Sequence, residues 1–276
     1  MRRGEDNQGE MIGTIRTGLA LFLMVVSGLL LAPIQYFAVR TGLISPTIIP
    51  RLWHTLVTWA LGFRVTVHGE VARQRPLMLA SNHVSWSDIT ILSSIASVCF
   101  ISKSELARWP IFGTLGRLQR TIFVERDRKR TSGEQASELA ERLVAGDVMV
   151  LFAEGSTSDG NLIMPFKSTL FGAAQMAVRS GAAAKVIIQP VAITYTRVHG
   201  MPMGRLHRRL AAWIGDMDLV PHLASVLREG AMDVDVRFGA PVEFDAASDR
   251  KVVTRQMESV VRKMVAAALR DTRPPR

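Results

Sequence analysis

His83 and Asp88 stand five positions apart in the run Ser81-Asn82-His83-Val84-Ser85-Trp86-Ser87-Asp88. A histidine can take and return a proton near neutral pH, and a carboxylate against one ring nitrogen fixes the tautomer and balances the imidazolium. The pair follows a short apolar run, Leu77-Met78-Leu79-Ala80, and precedes a helical pattern through Ile89, Ile91, Leu92 and Ile95. A strand end meeting a helix start is where α/β enzymes expose reactive groups. The same spacing also suits a structural alternative, in which Ser85 and Asp88 cap the helix and His83 is a turn residue bonded to a carbonyl. No serine or cysteine nucleophile is evident beside the pair, and Ser85 and Ser87 read as capping residues.

Two more polar clusters follow strand-like runs. Thr121-Ile122-Phe123-Val124-Glu125-Arg126 ends on a cation suited to a phosphate or carboxylate, unless it is an ordinary solvated charge run. Val148-Met149-Val150-Leu151-Phe152 stops at Ala153-Glu154-Gly155-Ser156-Thr157-Ser158, where glycine permits close backbone approach and hydroxyls line the turn. A plain loop closed by Asp159-Gly160 is the simpler account. The single cysteine, Cys99, lies in an apolar run and reads as core. One cysteine excludes an internal disulfide, and no Cys/His spacing suggests a metal site.

These groups need elements to hold them. Apolar runs at 63–68, 77–81, 97–101, 121–124, 148–152, 186–195 and 233–238 read as strands. Helical patterns occupy 87–96, 131–145, 167–180, 219–229 and 248–270. The alternation predicts an α/β fold with a central, mainly mixed β-sheet flanked by helices. Ahead of it, residues 17–39 form an uncharged apolar segment between Arg16 and Arg40, long enough to cross a bilayer. Residues 47–63 are amphipathic, with Trp53 and Trp59, and suit the lipid–water boundary. The chain therefore divides into N-terminal membrane-anchoring helices, 1–62, and an α/β domain, 63–276. A true span and a re-entrant pair both fit, and the flanking arginines do not fix orientation.

The formal charge is +10 and 48% of residues are hydrophobic. Such a surplus favours nucleic acid, acidic lipid or an acidic carrier protein. Nothing in the chain reads as a helix-turn-helix or an aromatic-interleaved basic sheet, so nucleic acid is not expected. There is no phosphate-binding loop, dinucleotide fingerprint or nucleophile elbow either. A non-catalytic basic membrane scaffold would account for charge and anchor, but it gives no reason for His83, Asp88 and Glu154 to stand at loop positions.

Taken in order, Asn82-His83-x4-Asp88, Phe123-Val124-Glu125-Arg126, Phe152-Ala153-Glu154-Gly155-Ser156-Thr157-Ser158 and Ile188-Gln189-Pro190-Val191 resemble the four blocks of the glycerolipid acyltransferase superfamily. The bacterial lysophosphatidic acid acyltransferases are its best-known members, and the resemblance covers roughly residues 75–195. It implies an α/β catalytic domain with a membrane anchor and no metal or cofactor. The reaction implied is acyl transfer from acyl carrier protein or coenzyme A to a lysolipid hydroxyl; the lone cysteine suits a reducing cytoplasm, so the catalytic domain is expected on the cytoplasmic face of the inner membrane. His83 would be the base and Asp88 its orienting partner. Phe123, Arg126, Glu154, Gly155, Ser156, Lys167 and Pro190 would serve substrate binding. Among these, Arg126 and Lys167 supply cations, Glu154 and Gly155 shape the acceptor site, and Pro190 fixes a turn beside it.

One block departs from the pattern. Lysophosphatidic acid acyltransferases read Glu-Gly-Thr-Arg-Ser, whereas here Ser156 and Thr157 replace the threonine and arginine. Loss of that cation disfavours a phosphate-bearing acceptor. The run Glu154–Asn161, followed by Met164-Pro165-Phe166-Lys167-Ser168, is similar instead to the lyso-ornithine lipid O-acyltransferase branch, whose acceptor is a zwitterion. Lysophosphatidic acid remains the alternative acceptor.

Overall fold

The computed structural model describes residues 2–124, 132–215 and 217–271. Among the described residues nine strands join in one sheet: β1 (Phe63–His68), β2 (Leu77–Ser81), β3 (Cys99–Lys103), β4 (Ile122–Val124), β5 (Val148–Phe152), β6 (Lys185–Val198), β7 (Met201–Pro202), β8 (Met232–Phe238) and β9 (Val242–Asp245). The order is β1-β8-β6-β2-β5-β3-β4, with β7 and β9 also paired to β6. From β6 to β4 the strands run parallel, while β8 and β9 lie antiparallel to β6. The sheet is mixed, as the sequence predicts.

β2 is buried along its whole length, as a central parallel strand must be. Successive side chains serve opposite faces. Leu77 and Leu79 join one apolar cluster with Val150 and Ile193, and Met78 and Ala80 join another with Met149 and Leu151. The first cluster is covered by α2 (Ile48–Ala60), α3 (Ser87–Ile95) and α7 (Leu219–Glu229). The second is covered by α5 (Ser132–Val144), α6 (Gly172–Arg179) and α8 (Arg250–Arg270). α8 buries Val253, Met257, Val261 and Val265 at four-residue spacing, and Asp249 caps it by accepting from Lys251 N and Val252 N at 2.7 and 3.1 Å.

The remaining helices are α1 (Arg2–Thr41) and α4 (Pro110–Leu118). α1 contains a stretch, Gly13–Thr41, long and apolar enough to cross a membrane. A stripe of Ile15, Leu19, Phe22, Val25, Leu29 and Tyr36 on it is exposed. The opposite side packs on α2, α7 and α4. α2 buries Val57 and Ala60, with Leu61 after it, in the same cluster as β2, so packing continues across residue 62.

Several boundaries differ from the sequence reading. The helix expected over 167–180 is a 3-10 turn at Ser168–Phe171 followed by α6, and the strand expected at 97–101 begins two residues later. Pro190 lies in no turn but inside β6, in register with Ala80. Its carbonyl accepts from Gly239 N at 2.9 Å, on the edge where β6 changes partner from β9 to β8. An N–H there would face that junction, so proline removes no ladder bond.

Candidate active site

Ser81, the last residue of β2, is in register with Phe152 of β5 and Val191 of β6. The next residue extends the β6 side of the ladder with its side chain. Asn82 Nδ2 donates to the Ile193 carbonyl at 2.9 Å, and Asn82 Oδ1 accepts from Ile193 N at 2.8 Å. His83 then emerges at the carboxyl end of the parallel strands, where open α/β sheets place their sites.

The imidazole is held at one ring nitrogen and on one face. Nδ1 lies 2.8 Å from Asp88 Oδ2, and the ring stacks on Phe152 with centroids 3.8 Å apart and planes at 12°. Its main chain is fixed too, since His83 N donates to Glu154 Oε1 at 2.7 Å and Ser158 N donates to His83 O at 2.8 Å. The side chain keeps 16% of its surface exposed, whereas that of Asp88 keeps none. With Nδ1 donating to Asp88, Nε2 is the nitrogen left to accept a proton.

Asp88 is buried and spends both oxygens. Oδ2 accepts from Val84 N (2.7 Å) and Ser85 N (3.0 Å) as well as from His83, and Oδ1 accepts from the Tyr195 hydroxyl at 2.8 Å. Ser87 Oγ lies 2.7 Å from the same hydroxyl. The capping expectation is therefore half met. The bond from Ser85 N to Asp88 is the return half of a capping box, but Ser85 Oγ is buried with no partner among the described residues, and α3 has no side-chain cap there. Ser87 bonds to Tyr195 across the core instead of capping.

Glu154 is buried as well, with Oε1 on His83 N and Oε2 accepting from Met164 N at 2.7 Å. Burial pushes its carboxyl up to about 7, against the pull of those two N–H groups. It fastens the histidine turn to the 153–167 loop. Gly155 follows at φ +75°, a conformation that glycine adopts without strain. Ser156 is exposed on this loop, and Lys167 donates its N–H to the Ala153 carbonyl at 2.8 Å while its side chain is exposed.

The other residues expected at the site are more distant. Phe123 sits on β4, three strands from β2, or about 14 Å at the usual strand spacing, and packs against Gly116 of α4. Pro190 lies within the sheet below the site. Arg126 lies outside the described residues. Among the described residues no group of three His, Cys, Asp or Glu side chains is placed to hold a metal ion. The sequence reading missed Tyr195. The signal available was a polar-tipped aromatic in an otherwise apolar buried strand, which must find a hydrogen-bond partner.

Comparison with known proteins bears on this arrangement. An acyltransferase family model matches residues 64–194, which include His83, Asp88 and Glu154 and end one residue before Tyr195. The chain is 52% identical over 259 residues to a lyso-ornithine lipid O-acyltransferase of Brucella abortus, covering 94% of this chain and 97% of that one. It is 50% identical over 260 residues to a lyso-ornithine lipid O-acyltransferase of Rhizobium meliloti, covering 94% and 89%. The crystal structure of the 1-acyl-sn-glycerophosphate acyltransferase PlsC from Thermotoga maritima shares the fold, with a TM-score of 0.62 at 19% identity over 94% of this chain and 97% of that one.

Proposed function

The chain belongs to the acyltransferase family, and from that premise we propose that it moves a fatty acyl group from an acyl carrier protein or coenzyme A thioester onto the hydroxyl of lyso-ornithine lipid. The observation that carries the chemistry is the His83–Asp88 pair at the end of β2, in which Nδ1 faces Asp88 and the histidine side chain keeps some exposure. Nε2 removes the acceptor hydroxyl proton as the oxygen attacks the thioester carbonyl. The new C–O bond forms, the C–S bond breaks, and the proton passes from Nε2 to the departing sulfur. Asp88 orients the ring and balances its charge throughout. The residues need neither a covalent acyl-enzyme nor a metal for this sequence.

Two features favour the zwitterionic acceptor over lysophosphatidic acid. Identity to the two lyso-ornithine lipid enzymes runs nearly end to end. Thr157 also stands where the resemblance to lysophosphatidic acid acyltransferases would place an arginine. The test measures acyl transfer to purified lyso-ornithine lipid and to lysophosphatidic acid at matched concentrations. Preference for the phosphate acceptor would return the assignment to the phospholipid branch.

Membrane attachment follows from α1. Arg16 Nη2 donates to the Leu227 carbonyl at 2.7 Å, and Gln35 Nε2 donates to the Pro46 and Leu118 carbonyls at 2.8 and 2.6 Å. These ties are separated by about 28 Å of helix, and Leu227 and Leu118 both belong to the α/β body. A helix tied to one body near both ends of its apolar stretch lies along that body, and we infer that its exposed apolar stripe enters the membrane. We place the body on the cytoplasmic face of the inner membrane, where acyl carrier protein and coenzyme A thioesters are found.

A further inference from the structure

Apart from α1 and α2, two loops fastened to the histidine turn form a tip with strongly exposed apolar side chains. Leu162 is 75% exposed and Leu206 is 79% exposed. They follow directly on a pair of residues that hold the loops together. Asn161 Nδ2 donates to the Arg205 carbonyl at 3.2 Å, and Arg208 Nη1 donates to Asn161 Oδ1 at 2.8 Å. The first loop is fastened to the site, because Ser158 N and Oγ both bond the His83 carbonyl. The second is fastened beside it, through Trp213 N on the Val84 carbonyl at 3.0 Å.

Charge at the tip is mainly positive. Arg205 and Arg209 are exposed there. The acid between the loops, Asp159, is held on Asn161, with Oδ1 accepting from Asn161 N at 2.9 Å and Oδ2 from Asn161 Nδ2 at 2.8 Å, and it offsets part of the charge of Arg209. Two bare leucines ringed by outward cations match the boundary of an anionic leaflet, where apolar side chains enter below phosphates that attract the cations. An acidic carrier protein would match the cations but would leave the leucines in water.

We propose that the 159–162 and 203–209 loops form a second membrane contact that docks on an anionic lipid bilayer and sets the His83 turn at the level of the lipid headgroups. The tip is separate in sequence and in elements from α1. It holds for any lysolipid acceptor, so it does not depend on the lyso-ornithine assignment.

The full chain is suited to a local probe, because its one cysteine, Cys99, is buried and burial pushes its thiol up, away from the reactive thiolate. An environment-sensitive fluorophore is attached at Leu206→Cys, at Leu162→Cys, and at Val252→Cys on α8 as the control. Vesicles of phosphatidylcholine with phosphatidylglycerol should blue-shift the first two and leave the third unchanged. The shift should weaken at high salt or without phosphatidylglycerol, and spin-labelled lipid should quench it. No shift at either tip position overturns the proposal, as does a shift produced by acyl carrier protein and not by vesicles. A second arm uses the double variant Leu162→Ser/Leu206→Ser. Its turnover on vesicle-borne lysolipid should fall about tenfold while turnover on a short-chain, water-soluble acceptor stays unchanged. Equal loss on both acceptors would make the tip part of the chemistry and overturn the docking role.

Discussion

The Tyr195 hydroxyl donates to Asp88 Oδ1 at 2.8 Å, on the opposite side of the carboxylate from the oxygen that faces His83 Nδ1 at the same distance. Together with Val84 N and Ser85 N, these donors leave the buried carboxylate no room to turn. An aspartate satisfied in this way is rigid, which is what a partner of a proton-accepting imidazole requires. The capping arrangement and the catalytic one are thus served by one side chain.

That double duty separates the two residues experimentally. His83→Ala should lower turnover by about two to four orders of magnitude, the usual range for a lost positioned base, with melting temperature little changed. Asp88→Asn should lose comparable activity and also destabilise the fold, because an amide cannot satisfy the same donors at Oδ2. Thiol release and thermal melts on the two variants check this. A well-folded His83→Ala protein with near-normal turnover would remove His83 from the mechanism.

Tyr195→Phe keeps the aromatic packing against Phe63, whose ring lies edge-on at 6.1 Å, and deletes only the hydroxyl. Asp88 Oδ1 then loses its donor in a buried site. About 1.4 kcal/mol of that loss felt in the barrier is tenfold in rate. We expect kcat to fall about tenfold with KM nearly constant. A raised KM at constant kcat would assign Tyr195 to acceptor binding.

Tyr195 also marks where reading the sequence stops. β1, β2 and β5 begin and end at the residues expected, because each is a short apolar run bounded by polar or turn residues. His83 and Asp88 were legible because they are five residues apart and lie on one turn. Tyr195 is 107 residues from Asp88, and only the β2–β6 register brings them together. α4 escaped because Gly113 and Gly116 weaken its helical signal, although both admit close neighbours, Ala107 O and the Phe123 ring. β9 is four residues with one buried side chain, too short to show a period. Pro190 was read as a turn from its residue type, and the change of strand partner that accommodates it has no local signature.

Thr157 offers a gain-of-function test of acceptor choice. Thr157→Arg restores the cation that the phosphate-handling pattern carries, and one charge-assisted contact is worth roughly a tenfold change in affinity or more. The ratio of kcat/KM for lysophosphatidic acid to that for lyso-ornithine lipid should rise about tenfold. An unchanged ratio in a folded variant would remove residue 157 from headgroup selection.

An anchor test must leave α2 in place, since Val57, Ala60 and Leu61 belong to the core. The exposed stripe of α1 can be altered alone. Leu19, Phe22 and Leu29 are 64%, 67% and 70% exposed, so changing all three to Asp should not disturb packing. The variant should move from the membrane pellet to the supernatant with its melting temperature retained. Retention on washed membranes would transfer the anchoring role away from α1.

Glu154 gives a pH dependence with a definite sign. Its carboxyl is raised from 4.5 to about 7 by burial, so the folded state holds a proton that the unfolded chain releases. The stability this confers is complete below pH 4.5 and is lost as pH rises toward 7, where the buried group must ionise. The shift corresponds to roughly 3 kcal/mol across that window. Glu154→Gln cannot ionise, so the difference in melting temperature between pH 5 and pH 8 should shrink. Its absolute stability should also fall, because the amide NH2 meets either His83 N or Met164 N, and two donors face each other. Thermal melts of both proteins at the two pH values separate slope from offset. Parallel pH profiles for the two proteins would show that Glu154 stays ionised throughout, with the two N–H groups outweighing burial.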